Sequence, residues 1–139
     1  MKLYTPELLA LAVELAQHPL TEDLIQRGEA RSRSCGSTVS VGLATGADGA
    51  IERFGMQVAA CAVGQAASAL FARDAIGRTA GDIERAEHAI DAWLAGGTIT
   101  DWPGLEAIAP ARDHPGRHGA ILLPWRAARD ALSKPAREG

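Results

Sequence analysis

Aromatic residues are scarce in this chain: three Trp, two Phe and one Tyr among 139 residues. That is too few for a platform on which nucleic-acid bases could stack. Basic blocks are missing too. Lys and Arg number 14 against 17 Asp and Glu, a formal charge of −3, so the order of charges gives no support for a nucleic-acid partner. No apolar run approaches the roughly 18 residues of a membrane span. The opening "MKLYTPELLALAVELAQHP" has the look of a signal peptide, but Glu7 and Glu14 interrupt its apolar part and no clean cleavage site follows. It reads as an amphipathic helix, and the expected location is cytoplasmic. Cysteine is limited to Cys35 and Cys61. In a cytosolic chain two cysteines make no disulfide framework; they are buried thiols, reactive thiols or metal ligands. Ordinary enzyme signatures are also lacking, with no Ser/His/Asp set and no paired-carboxylate pattern. "GLATGADGA" is glycine-rich but sits between strands, without the strand-to-helix setting of a phosphate loop.

What is present is a globular composition, 47% apolar with mean hydropathy near zero, expected to fold as one domain over residues 1–139. Thr5 and Pro6 start a helix with Leu8, Leu11 and Leu15 on one stripe, closed by His18-Pro19. A short helical piece is expected over 21–28, capped by Thr21. The period then changes. "STVSVGLA" alternates Val39, Val41 and Leu43 as a half-buried strand, Asp48-Gly49 marks a hairpin turn, and "IERFGMQVAA" returns as its partner. "EARSRSC" (29–35) is too polar to be more than an edge strand.

Helical patterns follow. "AVGQAASALFARDAIG" is rich in small residues, with Gly77 as its C-cap. "TAGDIERAEHAIDAWLAGG" has Ile83, Ala86, Ile90 and Leu94 in register. "TDWPGLEAIAPA" opens with Thr100 or Asp101 as cap. Pro124 lacks an N–H and so belongs in the first turn of the last helix, which places that helix's start at 121–124. Its stripe is Ile121, Trp125, Ala128 and Leu132, and residues 117–120 become the turn ahead of it. Trp93, Trp102 and Trp125 are expected in the core. A hairpin sheet followed by helices makes the fold class α+β, a small antiparallel sheet of two to three strands.

A hairpin centred on Asp48-Gly49 pairs residues whose numbers sum to about 97. Cys35 then faces roughly residue 62, beside Cys61. The two thiols meet at one end of the sheet next to a helix start, where the positive end of the dipole favours a thiolate. The turn 117–120 reads Arg117-His118-Gly119-Ala120, an imidazole and cationic edge without sulfur.

Three segments together resemble the U-type iron–sulfur cluster scaffold family, the NifU N-terminal, IscU and SufU-like proteins. "CGS" at 35–37 is similar to the family's C-G-D. "CAVGQAASALF" at 61–71 is similar to its C-A-I-S-Q-A-S-A-S-M. "PGRHGAILLPW" at 115–125 aligns without gaps on the SufU-like P-A-R-V-K-C-A-T-L-x-W. The long interval between the last two is also SufU-like, and the L-P-P-V-K motif of the IscU branch is absent. The match runs from Tyr4 to Leu132.

The resemblance implies a small antiparallel sheet with helices packed on one face. It implies a site of three cysteines and the C-G-D aspartate holding a [2Fe–2S] cluster or zinc, with sulfur delivered by a cysteine desulfurase as a persulfide. Cys35 and Cys61 match the first two cysteines and are the persulfide acceptor candidates. Ser37 replaces the aspartate, a far poorer ligand for zinc or iron. Ala120 stands at the third cysteine and Gly119 where the branch has Lys or His. His118 is not a family ligand, but its imidazole is a candidate third metal ligand.

Three readings follow from the resemblance. One is a scaffold-like protein binding iron, a [2Fe–2S] cluster or zinc through a reduced ligand set, handing clusters to apo iron–sulfur client proteins, with a homodimer as one way to complete the ligands. Another is an interaction or regulatory protein that keeps the fold and binds no cluster. The third is a persulfide carrier.

Overall fold

The computed structural model describes residues 5–33, 36–98 and 101–134. Helix α1 (Pro6–Glu14) starts at Thr5, whose side chain accepts from the Leu8 N–H at 3.1 Å. It is followed by a three-stranded antiparallel sheet in the order β1 (Gln26–Arg31), β2 (Thr38–Thr45), β3 (Ile51–Ala59). Helices α2 (Ala62–Asp74), α3 (Ala80–Leu94) and α4 (His118–Leu132) complete the α+β fold, with a 3₁₀ segment over Leu105–Asp113 and a short one over Pro115–Arg117.

The sheet alternates as the sequence predicts. Val39, Val41 and Leu43 are buried on one face, where they meet α4, while Ser40 and Gln57 lie on the other. On that second face, Gly42 pairs with Gly55, and the segment 19–24 crosses directly over the pair. A Cβ at Gly42 would sit 2.6 Å from Leu20, and one at Gly55 would strike the Pro19 carbonyl. The same segment closes the outer edge of β3, where the Met56 N–H donates to the His18 carbonyl at 2.9 Å.

Helix α4 is buried almost all round, with Ala120, Ile121, Leu122, Leu123, Trp125, Ala127, Ala128 and Ala131 all in the core. The sheet lies against one side and α2 and α3 against the others. Such a helix is stabilised by packing on every face rather than by an amphipathic stripe. Trp125 stands perpendicular to both Phe71 and Trp102, at 5.7 and 5.3 Å between ring centroids. The Trp102 indole donates to the Leu70 carbonyl at 2.9 Å, and Phe54, Phe71, Trp102 and Trp125 form one ring cluster. All three tryptophans are buried as expected. Glu87 of α3, also buried, is neutralised by Arg126 (3.1 Å) and Arg129 (2.7 Å) of α4; left unpaired there, its charge would carry a large desolvation cost.

Several expected elements are corrected. Residues 21–28 form no helix. The chain turns at 22–23 and Gln26 already begins β1, held there because Gly28 lets α4 come to backbone contact: a Cβ would collide with the Ala127 carbonyl and the Ala131 amide. The edge strand therefore lies three residues earlier than 29. α2 ends at Asp74 with Ala75 as its cap, so Gly77 (φ 88°) is not the cap; its N–H bonds to the Ile51 carbonyl at 2.8 Å instead. The segment after α3 does not turn helical at 101. Gly104 is left-handed (φ 87°), which only glycine adopts readily, and the 3₁₀ segment begins at Leu105. Thr100 lies outside the described residues. Most consequentially, α4 begins at His118, not at 121–124. Pro124 is inside it: the ring removes one amide donor toward Ala120, and packing on all sides outweighs that loss.

Candidate functional site

The β2–β3 register sets the geometry of the site end. Thr38 pairs with Ala59, Val39 with Val58, and so on to Ala44 with Arg53, the numbers summing to 97 as the hairpin predicts. Ser37 immediately precedes Thr38, and Cys61 follows Ala59 by two residues, so the start of β2 and the end of β3 arrive together. Cys35, the other expected thiol, lies outside the described residues. Among the described residues beside it, the Gly36 N–H (φ 69°) donates to the Ser32 carbonyl at 3.0 Å, and the Ser32 N–H donates to the Ser37 carbonyl at 2.8 Å. Ser37 is buried, at 5% exposure.

Cys61 is the N-cap of α2, extended in backbone (φ −66°, ψ 170°) and half-buried with a free thiol. Gln65 fixes this junction, its amide N–H bonding to the Cys61 carbonyl and its side chain to the Ala60 carbonyl, both at 2.9 Å.

The third family position is brought close as well. Ala120 is the third residue of α4, so it sits inside the first turn rather than in a loop ahead of it, and it is 0% exposed. It faces Gly64, one turn into α2 from Cys61. A Cβ at Gly64 would lie 3.3 Å from the Ala120 Cβ and 2.8 Å from that of Ala60. The N-terminal turns of α2 and α4 are thus packed against each other through small residues, and the space beside Ala120 is filled.

His118 heads α4, half-buried, with Nε2 3.0 Å from the Arg112 carbonyl oxygen. In the tautomer that donates there, Nδ1 is the nitrogen left for any other partner. Arg112 is itself fixed: Nε donates to the Trp93 carbonyl at 2.9 Å, Nη2 to the Gly97 carbonyl at 3.0 Å, and the guanidinium lies over the Trp93 ring. It joins the C-terminal end of α3 to the turn before α4. Gly119 is half-buried between His118 and Ala120.

The structure brings Ser37, Cys61, Gly119 and Ala120 to one end of the molecule. Among the described residues no three His, Cys, Asp or Glu side chains are grouped so as to hold a metal ion. Sequence reasoning missed Gly64 and Arg112. A glycine inside a helical run of small residues is a signal for close helix approach; nothing in the sequence marks Arg112.

No helix among the described residues is long and apolar enough to cross a membrane. No protein-family model matches the chain, and no curated protein matches it. Solved structures do. A nitrogen-fixing NifU-like protein (N-terminal) from Brucella abortus is 32% identical over 94% of this chain and 92% of its own, with a TM-score of 0.83. A candidate iron–sulfur cluster assembly scaffold protein for the SUF system from the thermophile Fervidobacterium islandicum superposes with a TM-score of 0.81 over 94% of this chain, at 20% identity. That second likeness speaks to the fold. With the first at nearly full length on both sides, this chain belongs to the U-type, NifU-like family.

Proposed function

We propose that the chain is an iron–sulfur cluster assembly protein rather than an enzyme, one that binds iron, a [2Fe–2S] cluster or zinc through Cys35 and Cys61. The observation that carries this reading is the register. With Thr38 on Ala59, the start of β2 and the α2 N-terminus holding Cys61 are neighbours, and Cys35 precedes Ser37 by two residues in the sequence. The likeness to a candidate iron–sulfur cluster assembly scaffold of the SUF system and the family membership support it. Sulfur would come from a cysteine desulfurase, and apo iron–sulfur client proteins would receive the cluster. Two thiolates are half the four ligands of a [2Fe–2S] cluster, so a second copy or two small thiols would complete the set, and His118 would supply one further ligand.

A specific observation favours a second reading, a family member that keeps the fold and partner surfaces and binds no cluster. Ala120 is fully buried against Gly64, so the third ligand position is occupied by core rather than open to cargo. A persulfide carried on Cys61 needs neither Ala120 nor Ser37 and is compatible with both.

Anaerobic reconstitution with iron and sulfide separates these. A visible charge-transfer spectrum with stoichiometric iron, abolished in Cys35→Ala and in Cys61→Ala, supports the reduced-ligand scaffold. A colourless, metal-free chain with native circular dichroism overturns it and leaves the second reading. Ala120→Cys with Ser37→Asp is the complementary arm: iron retention rising above that of the parent chain would mark the two substituted positions as what limits binding.

A further inference from the structure

Although the chain carries a net charge of −3, the site end is its unneutralised basic surface. Nearly every described cation is engaged. Arg53, Arg73 and Arg85 pair with Asp23, Glu14 and Asp82, and Arg126 and Arg129 both pair with Glu87. Arg27, Arg78 and Arg112 donate to backbone carbonyls, as does Lys134. Among the described residues the exceptions are Arg31, Arg33 and Arg117, which have neither an acidic nor a carbonyl nor a ring partner for their side chains. Arg31 ends β1 opposite Thr38, which in turn faces Ala59, and Arg33 lies in the turn that follows. Arg117 is the residue before α4. All three therefore flank the segments that converge on Cys61 and Ala120. Arg31 and Arg33 are exposed and Arg117 is half-buried. The nearest carboxylate on β1, Glu29, accepts from the Ser40 hydroxyl.

We propose that Arg31, Arg33 and Arg117 form a docking surface for an acidic segment of a partner protein, which they hold beside Cys61. Guanidinium groups without intramolecular partners give up no existing ion pair on meeting an incoming carboxylate, and their planar forks donate two parallel hydrogen bonds to it. The same α2 and α4 helix starts add positive potential at that end. Nucleic acid is the poorer fit, because the chain's net charge is negative and Phe71 and the three tryptophans are buried in the core. Identification of this surface with partner docking rests on the assembly reading above, but the charge pattern stands apart from any cluster.

The test uses the full chain and a fluorescein-labelled peptide of alternating Glu and Gly, with its Gln-for-Glu counterpart and a single-stranded oligonucleotide of equal charge as controls. The acidic peptide should bind and the Gln peptide should not. Raising salt from about 50 to about 200 mM should weaken binding by roughly fivefold or more, as expected for exposed charges. The Arg31→Gln, Arg33→Gln, Arg117→Gln triple variant should lose it, while Arg53→Gln with Arg85→Gln should retain it. Binding that survives the triple variant, or that the control variant loses equally, overturns the proposal; so does tighter binding of the oligonucleotide. Reconstitution of the triple variant separates the two claims. Cluster loading unchanged with peptide binding lost upholds the docking surface alone, and peptide binding by a chain that takes up no iron upholds it while the scaffold reading fails.

Discussion

Helix α4 is pinned by a glycine at each end, and the two contacts are of different kinds. At its C-terminal end, Gly28 of β1 lies against backbone: an added Cβ would collide with the Ala127 carbonyl and Ala131 amide and come within 2.9 Å of the Ala131 Cα. At its N-terminal end, Gly64 of α2 faces side chains, the methyl groups of Ala60 and Ala120. Backbone within a helix cannot move without straining its own hydrogen bonds, whereas Ala60, whose methyl moves only with its own backbone, precedes the α2 N-cap and can shift by a few tenths of an ångström. The end remote from the site is built as a fixed joint, and the site end as an adjustable one.

The sharpest way to break the comparison is Gly28→Ala. With backbone on the far side of the contact, β1 and α4 must separate, and overpacking of this kind should cost about 3 kcal/mol. Urea unfolding should show the midpoint falling with the slope unchanged. A loss under about 1 kcal/mol would mean that the joint is as soft as the other.

Next in size is Asp130→Ala, at the same end. Asp130 accepts from the Glu29 N–H on the outer edge of β1 at 3.0 Å, and Lys134 donates to the Arg27 carbonyl beside it at 2.9 Å. These side chains occupy backbone groups that an edge strand would otherwise offer to another chain. Asp130 is partly exposed, so the stability cost should be about 1 kcal/mol. Size-exclusion chromatography at increasing concentration should show self-association beyond that of the parent chain. An unchanged elution profile would show that the edge is closed by more than this clamp.

The fixed joint is also where the sequence was hardest to read. The sequence of β1, "QRGEAR", carries no large apolar residue, so it has no strand period to find. It is a strand because Gly28 admits α4 and because Gln26 donates to the Ala131 and Lys134 carbonyls, both at 3.2 Å, contacts more than a hundred residues away in sequence. β2 and β3 were legible because alternation and the Asp48-Gly49 turn are local, and the turn alone gave the register that brings Ser37 and Cys61 together. Pro124 misled for the opposite reason. Its local preference for a first turn is real, but core packing on every side of α4 overrode it, and this moved Ala120 from a turn into a buried helical position. The unpaired arginines were invisible as a group because they come from two segments more than eighty residues apart.

The smallest predicted effect is the most informative about the site end. Gly64→Ala has two opposing terms. Within a helix, alanine is favoured over glycine by about 1 kcal/mol. Against this, the new methyl lies 2.8 Å from the Ala60 Cβ and 3.3 Å from that of Ala120. Ala60 precedes the α2 N-cap and is not itself within the helix, so it can give way at a cost of about 1 kcal/mol. The two should nearly cancel in urea unfolding. Displacement of Ala60 acts on its neighbour, however, and the rate at which Cys61 reacts with a thiol reagent under native conditions should change even though stability does not. If Gly64→Ala instead costs as much as Gly28→Ala, both joints are rigid, and the packing of Ala120 against Gly64 has closed the site end rather than left it adjustable.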